Sequence, residues 1–137
     1  MSVNPELYKH GQEVRNAILG PAHAERSAKN RTSFNAEFQD FVMQYAWGDV
    51  WSRPGLDHKQ RSMLTIAMLV AMGKLEELKL HIRASRNTGV SRDEVKEILI
   101  HSVIYAGAPA AAGAFQAAAQ IYDEMDRESQ PAPPNSR

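Results

Sequence analysis

The sequence contains no cysteine, and its charges cancel, since 16 Lys and Arg residues stand against 16 Asp and Glu residues. The lack of cysteine excludes disulfides, thiolate metal ligands and cysteine redox chemistry, and it is compatible with the cytoplasm. A formal net charge of zero argues against broad electrostatic binding to nucleic acid or to an acidic membrane, although a local basic pocket stays open. We therefore expect a cytoplasmic protein that binds neither nucleic acid nor a lipid surface.

The sequence also lacks a long apolar run and a targeting segment. Its longest apolar stretch, residues 63–72, is much shorter than the roughly 20 residues that a membrane-spanning helix needs. The first residues show neither the basic nor the apolar region of a signal peptide. We therefore predict no membrane-spanning helix and no leader.

The secondary structure is predicted to be entirely helical. No segment alternates apolar and polar residues with period two, whereas apolar residues recur at helical spacing along most of the chain. The predicted fold class is all-α, a compact bundle of about six helices. Residues 1–126 form the single predicted domain, and the polar, proline-rich residues 127–137 form a predicted disordered tail. Residues 22–30 fit either a short helix or an ordered loop.

Capping residues set the predicted starts of several helices. Asn4, Ser33 and Asp57 are typical caps, and Ser91 with Glu94 forms a capping box. The helix after Ser33 carries an aromatic stripe that we expect to be buried. The helix after Asp57 is apolar all round in its second half, which is typical of a helix at the centre of a domain or between subunits.

One predicted helix, which ends at Gly89, combines acidic, basic and imidazole side chains. His81 stands at the edge of its apolar stripe, and Glu77 precedes it by one turn on the same face. Arg83 and Arg86 follow within two turns. These groups fit acid–base chemistry on an anionic substrate, and they fit a solvated stripe of alternating charge equally well.

Two further arginines are candidates for binding an anion. Arg53 lies in a Pro-Gly turn near two tryptophans, and Arg61 lies in the first turns of a helix, where the helix dipole disfavours a cation. A solvated surface position explains each of them as well. The sequence shows no glycine-rich phosphate loop, nucleophile elbow or metal-binding histidine pair, so no metal site is predicted.

Several segments carry motifs in an order typical of one family. They are residues 33–40, 45–48, 51–56 (Trp-Ser-Arg-Pro-Gly-Leu), 61–67, 76–84 (Glu-Glu-Leu-Lys-Leu-His-Ile-Arg-Ala) and 105–111 (Tyr-Ala-Gly-Ala-Pro-Ala-Ala). Together they closely resemble the carboxymuconolactone decarboxylase family, which has the alkylhydroperoxidase D-like fold. The resemblance extends over about residues 8–122.

The wider superfamily includes alkylhydroperoxidases, whose two cysteines stand seven and four residues before the histidine. In this sequence those positions before His81 hold Lys74 and Glu77. Peroxide reduction of that type needs a thiolate, and the sequence has no cysteine. The peroxidase interpretation therefore fails, and the resemblance to the decarboxylases remains.

The resemblance implies a homo-oligomer, expected to be a ring-like hexamer, that acts on a small lactone carboxylate without a cofactor. The implied reaction converts 4-carboxymuconolactone to 3-oxoadipate enol-lactone and carbon dioxide, in the protocatechuate branch of the β-ketoadipate pathway. His81 would donate a proton or stabilise the oxyanion, and Glu77 would hold or tune it. Arg53 is the favoured clamp for the second carboxylate of the substrate. The competing candidates for this clamp are Arg61, Arg83 and Arg86, and Tyr105 could add a hydroxyl donor.

Two other interpretations stay open. The chain fits a non-catalytic helical oligomer that binds or scaffolds, and it fits a related enzyme that acts on a different lactone. One departure bears on the second of these, because Ala112 stands where close relatives usually carry an asparagine. If that asparagine contacts substrate in the family, the rate or the substrate range of this protein differs.

Overall fold

The computed structural model describes residues 2–131 and contains seven α-helices. They are α1 (Pro5–Leu19), α2 (Pro21–Lys29), α3 (Ala36–Phe41), α4 (His58–Met72), α5 (Leu75–Thr88), α6 (Arg92–Tyr105) and α7 (Ala108–Glu128). A π-helix (Val42–Asp49) and a 3-10 turn (Val50–Ser52) connect α3 to α4. Residues 2–131 contain no β-strand, so the predicted all-α class is confirmed. The segment that fitted either a helix or a loop forms α2.

Local sequence signals start most helices where they were predicted. The Asn4 side chain accepts hydrogen bonds from two backbone N–H groups of α1, and Asp57 and Ser91 each form a capping box. Each such cap stabilises its helix by about 1 kcal/mol. The start predicted at Ser33 is wrong. The Asn35 side chain binds the backbone of the residues before it and holds them in a turn, so α3 begins only afterwards.

Helix α5 runs between the two hydrophobic clusters of the fold. Leu78 and Ile82 are fully buried in a cluster with residues of α4, α6 and α7, and Ala84 is buried in a second cluster. That second cluster joins α1, the π-helix and the 3-10 turn, and it consists of Val14, Ile18, Met43, Trp47, Trp51 and Ala84. Because α5 is packed on two sides, the polar side chains on its remaining surface are held on a rigid element.

Helix α1 and the π-helix approach each other closely because each carries a glycine at the contact. A Cβ atom on Gly11 would overlap the carbonyl oxygen of Met43, and a Cβ atom on Gly48 would overlap that of Leu7. Any side chain at either position would push the two backbones apart. The contact therefore fixes α1 against the π-helix, and both elements form walls of the cavity described below.

Two apolar surfaces predicted to be covered are exposed in the single chain. The aromatic stripe expected to be buried is open to solvent, with Phe34 98% and Phe38 68% exposed, so that prediction is wrong. On α4, Ile66 and Val70 are buried, whereas the opposite surface, which includes Met68, is exposed. The reason is geometric: the core elements of the chain cover one side of each helix and no described element covers the other.

The C-terminal helix passes the predicted start of the tail. The tail was predicted from residue 127, whereas α7 continues to Glu128. Residues 132–137, the greater part of the predicted tail, lie outside the described residues. Among the described helices, none combines the length and the apolar character that crossing a membrane requires.

Candidate active site

A cavity of about 510 Å³ lies between α1, α2, the π-helix and α5. This volume falls within the range of about 300–1,000 Å³ that is usual for small-molecule sites. Its polar lining comes from Tyr8, Gln12, Arg15, His23, Ser27, Arg31, Gln39, Glu77 and His81. Its apolar lining includes Leu19, Val42, Met43, Trp47 and Leu80. Ligand sites usually combine apolar walls with polar groups that orient the ligand, and this cavity contains both.

Helix α5 delivers His81 to this cavity in a buried position. The side chain is only 8% exposed, and its ring stacks on Trp51 at 6.4 Å between centroids with 20° between the planes. The Nδ1 atom of His81 is buried and has no hydrogen-bond partner among the described residues. An unsatisfied buried polar atom costs about 1–3 kcal/mol, so a hydrogen-bond partner for this nitrogen would stabilise the site.

The protonation state of His81 follows from its surroundings. Burial, and secondly the nearby His23, lowers the pKa of His81 from 6.5 to about 4. Burial acts in this direction because it disfavours the charged imidazolium. The imidazole of His81 is therefore neutral at neutral pH, and it can still donate a hydrogen bond through its ring N–H.

Glu77 also lines the cavity, one turn before His81 on α5. Helical geometry thus brings the two residues together as their spacing predicts. Glu77 is exposed, unlike His81, and it does not bind the Nδ1 atom of the imidazole, which has no partner. Glu77 is therefore the solvent-facing carboxylate at this cavity.

The structure places Arg53 and Arg61 away from this cavity. Arg53 is exposed and lines a second cavity of about 580 Å³ with His58 and Lys59. The guanidinium of Arg61 donates a hydrogen bond to the carbonyl oxygen of Arg53 at 3.1 Å, so it supports the turn. Trp51 lines this second cavity and also stacks on His81.

The remaining predicted binding residues also lie outside the cavity of His81 in the single chain. Arg83 forms ion pairs with Glu124 at 3.0 Å and with Glu128 at 2.8 Å on α7. Arg86 is exposed in the last turn of α5. Tyr105, at the end of α6, is 80% exposed and stacks on His101. Their role in binding stays a prediction.

Sequence reasoning missed the polar residues that α1 and α2 contribute. Tyr8, Gln12 and Arg15 recur along α1 at helical spacing, and all three line the cavity. His23 is half-buried on α2 and lines the same cavity. A polar stripe on a helix that also carries an apolar face was the available signal, but it resembles an ordinary solvated face. Within residues 2–131, no three His, Asp or Glu side chains are grouped to hold a metal ion.

The chain is similar to characterised decarboxylases over most of its length. The Carboxymuconolactone decarboxylase family profile matches residues 36–120. A 4-carboxymuconolactone decarboxylase of Acinetobacter baylyi is 47% identical over 120 residues, covering 88% of this chain and 90% of that protein. A nitrosuccinic acid decarboxylase of Metarhizium robertsii is 36% identical over 119 residues, covering 87% and 83% respectively. These findings confirm the resemblance drawn from the motifs. The chain belongs to the carboxymuconolactone decarboxylase family.

Proposed function

We propose that this protein is a carboxy-lyase that converts 4-carboxymuconolactone to 3-oxoadipate enol-lactone and carbon dioxide without a cofactor. The observation that carries the proposal is the 47% identity to a 4-carboxymuconolactone decarboxylase over 88% of the chain. The cavity that contains His81 and Glu77 supports it independently. The reaction belongs to protocatechuate degradation, and we place it in the cytoplasm.

The substrate defines what the site must supply. The bond between the ring carbon and the departing carboxylate breaks, and carbon dioxide leaves. The electron pair moves through the adjacent carbon–carbon double bond to the lactone carbonyl, which gives a dienolate. A proton then adds to the carbon next to that carbonyl, so each turnover takes up one proton. The site therefore needs a hydrogen-bond donor for the dienolate oxygen and a source for this proton.

His81 is the residue that we assign to the dienolate oxygen. As a neutral, buried imidazole it can donate a ring N–H to developing negative charge without a charge of its own. Glu77, on the same face and exposed to solvent, can pass protons between water and the cavity. The apolar lining near them, which includes Trp47, disfavours a charged carboxylate and favours neutral carbon dioxide.

Two variants of His81 separate the two roles of the imidazole. His81→Ala removes both hydrogen bonding and proton transfer, and we expect kcat to fall by about 100-fold or more. His81→Gln keeps an N–H donor but cannot transfer a proton at neutral pH. If His81→Gln retains most of the activity that His81→Ala loses, the oxyanion role is supported. Equal losses in both variants would assign the imidazole to proton transfer.

We also propose that the protein acts as a homo-oligomer, expected to be a hexamer. The support is the amount of apolar side chain that the single chain leaves exposed on α3, α4 and α6, including Phe38, Met68 and Ile104. An assembly would also provide the neighbouring subunit that Arg53, Arg61, Arg83, Arg86 and Tyr105 require in order to reach a substrate. Sedimentation equilibrium tests this, since six chains of 15.3 kDa give about 92 kDa.

The activity assay uses purified protein, synthetic 4-carboxymuconolactone and detection of carbon dioxide. Turnover at neutral pH supports the proposal, and its absence contradicts it. Nitrosuccinic acid is the second substrate to assay, because a relative that is 36% identical is a nitrosuccinic acid decarboxylase. Turnover of that acid alone would favour a related enzyme with a shifted substrate. Turnover of neither would favour a non-catalytic oligomer.

A further inference from the structure

The wall of the cavity formed by α1 and α2 carries two nitrogen-bearing side chains that the proposed chemistry does not use. Arg15 lies on α1 and His23 on α2, and both line the cavity of about 510 Å³ that contains His81. Each has a buried nitrogen atom without a hydrogen-bond partner among the described residues: Nε of Arg15 and Nδ1 of His23. Arg15, His23 and His81 thus bring three nitrogen-bearing side chains to the lining of one cavity.

Arg15 is a cation without a counter-ion. No Asp or Glu of the described chain lies within ion-pair distance of it. Burial lowers the pKa of its guanidinium, the direction expected when a cation is removed from water. Arg31, the other arginine of the lining, differs in this respect because it binds Asp40 through two bonds of 2.9 and 3.2 Å. Arg15 is therefore the lining arginine that is ready to receive an anion.

His23 completes the site without adding a competing charge. Burial, then Arg15, then Arg26 lowers the pKa of His23, so its imidazole is neutral at neutral pH. Arg15 lowers the pKa of His23, and His23 lowers the pKa of His81, so neighbouring members of this group are close enough to interact electrostatically. The other titratable groups of the lining are Tyr8, Arg31 with its Asp40 partner, and the exposed Glu77.

We propose that Arg15, assisted by His23, binds the carboxylate that the substrate retains after decarboxylation. This inference rests on the proposed function, in which the substrate carries one departing and one retained carboxylate. A guanidinium binds a carboxylate through two parallel hydrogen bonds, and Arg15 lines the cavity without an acidic partner in the described chain. Anchoring at α1 and α2 leaves the lactone ring to reach His81 on α5. Arg15 and the imidazole of His81 thus line the same cavity.

The clamp also determines which ligands bind. An uncharged ester in place of the retained carboxylate would leave the half-buried guanidinium without a counter-ion and without the ion pair that the acid forms. Binding of the carboxylate, in contrast, pairs the guanidinium of Arg15 with an anion. The site should therefore prefer the acid to its ester, and this preference should depend on Arg15.

A pair of ligands tests this preference directly. The first is the lactone acetate that lacks the departing carboxylate and so cannot be decarboxylated. The second is its methyl ester, which has the same ring and no charge. Binding of each is measured by calorimetry to the wild type, Arg15→Met and Arg15→Lys. Lys9→Met is the matched control, because Lys9 is an exposed cation on the same helix that does not line the cavity.

We expect Arg15→Met to lose about 10- to 100-fold in affinity for the acid, the range of a charge-assisted hydrogen-bond pair, and little for the ester. Arg15→Lys should recover part of the loss, since it keeps the charge without the planar fork. Lys9→Met should match the wild type. In turnover of 4-carboxymuconolactone, Arg15→Met should raise KM by a similar factor. Unchanged binding of the ester to Arg15→Met would show that the variant is folded and that its cavity is intact.

The outcomes separate this inference from the proposed function. If Arg15→Met keeps the wild-type preference for the acid, Arg15 is not the clamp, whatever the turnover. If Arg53→Met instead removes that preference, the clamp lies at the turn of Arg53 and comes from a neighbouring subunit. If the wild type binds the acid through Arg15 but does not turn over 4-carboxymuconolactone, the subsite stands and the proposed reaction fails.

Discussion

The buried imidazole of His81 makes the stability of the protein depend on pH in a predictable direction. In the unfolded chain a histidine has a pKa of about 6.5, whereas burial lowers the pKa of His81 in the folded chain to about 4. Between these values the unfolded chain binds a proton that the folded chain does not bind. The free energy of unfolding is therefore at its full value above about pH 6.5 and falls as the pH decreases towards about 4.

The magnitude follows from the two pKa values. The difference between them corresponds to a loss of about 3 kcal/mol in the free energy of unfolding once His81 is protonated in both the folded and the unfolded chain. About 2 kcal/mol of this is already lost at about pH 5. His81→Gln removes the titrating group and keeps a side chain that fills part of the same space. The variant should therefore lose about 2 kcal/mol less than the wild type between about pH 7.5 and about pH 5. Protonation of carboxylates contributes equally to both proteins and cancels in the comparison.

Urea unfolding followed by tryptophan fluorescence measures this difference, because Trp47 and Trp51 both lie in the second hydrophobic cluster. The protein concentration must be the same in all experiments, since association would add to the apparent stability. His10→Gln is the control for loss of an exposed histidine on α1, and it should follow the wild type. Equal pH dependence in the wild type and His81→Gln would refute the argument from burial.

Three other substitutions test the packing and the surfaces of the fold. Gly11→Ala should destabilise the protein by about 2–3 kcal/mol in urea unfolding, because its Cβ atom would overlap the backbone of the π-helix. Gly55→Ala is the control and should be tolerated in the same assay, because the space around Gly55 is open. Asp57→Ala should cost about 1 kcal/mol in the same assay, because it removes the side-chain cap of α4. Met68→Lys places a charge on the exposed apolar surface of α4, so it should lower the molecular mass measured by sedimentation equilibrium. An unchanged mass would exclude this surface from a subunit interface.

The fold was predictable where the determining interactions are local. A cap at Asn4 or Asp57 acts within a few residues, and the spacing of Leu78 and Ile82 on α5 places them on one face whatever surrounds the helix. The same locality explains why Glu77 and His81 could be paired from the sequence. It also explains the error at Ser33, since several residues of that turn have similar capping chemistry.

The candidate site was predictable only in part, because it is built from separate helices. His81 follows from the motif on α5, but its neighbours Arg15 and His23 reach it through the packing of α1 and α2. The predicted arginines show the converse: Arg83 is close to His81 in the sequence, yet its partners are carboxylates of α7. Proximity along the chain does not decide which cavity a long side chain enters.

By itself, the sequence determined the helical class, most helix starts, the absence of thiol chemistry and the family, because these depend on composition, short-range spacing and motif order. The tertiary structure decided which side of each helix is covered, which cations are already paired, and that His81 is a neutral imidazole in a cavity shared with Arg15 and His23. Burial and long-range packing control these properties, and both depend on residues that are distant in the chain. The identity of the clamp for the substrate carboxylate is a property of this second kind, and we place it at Arg15.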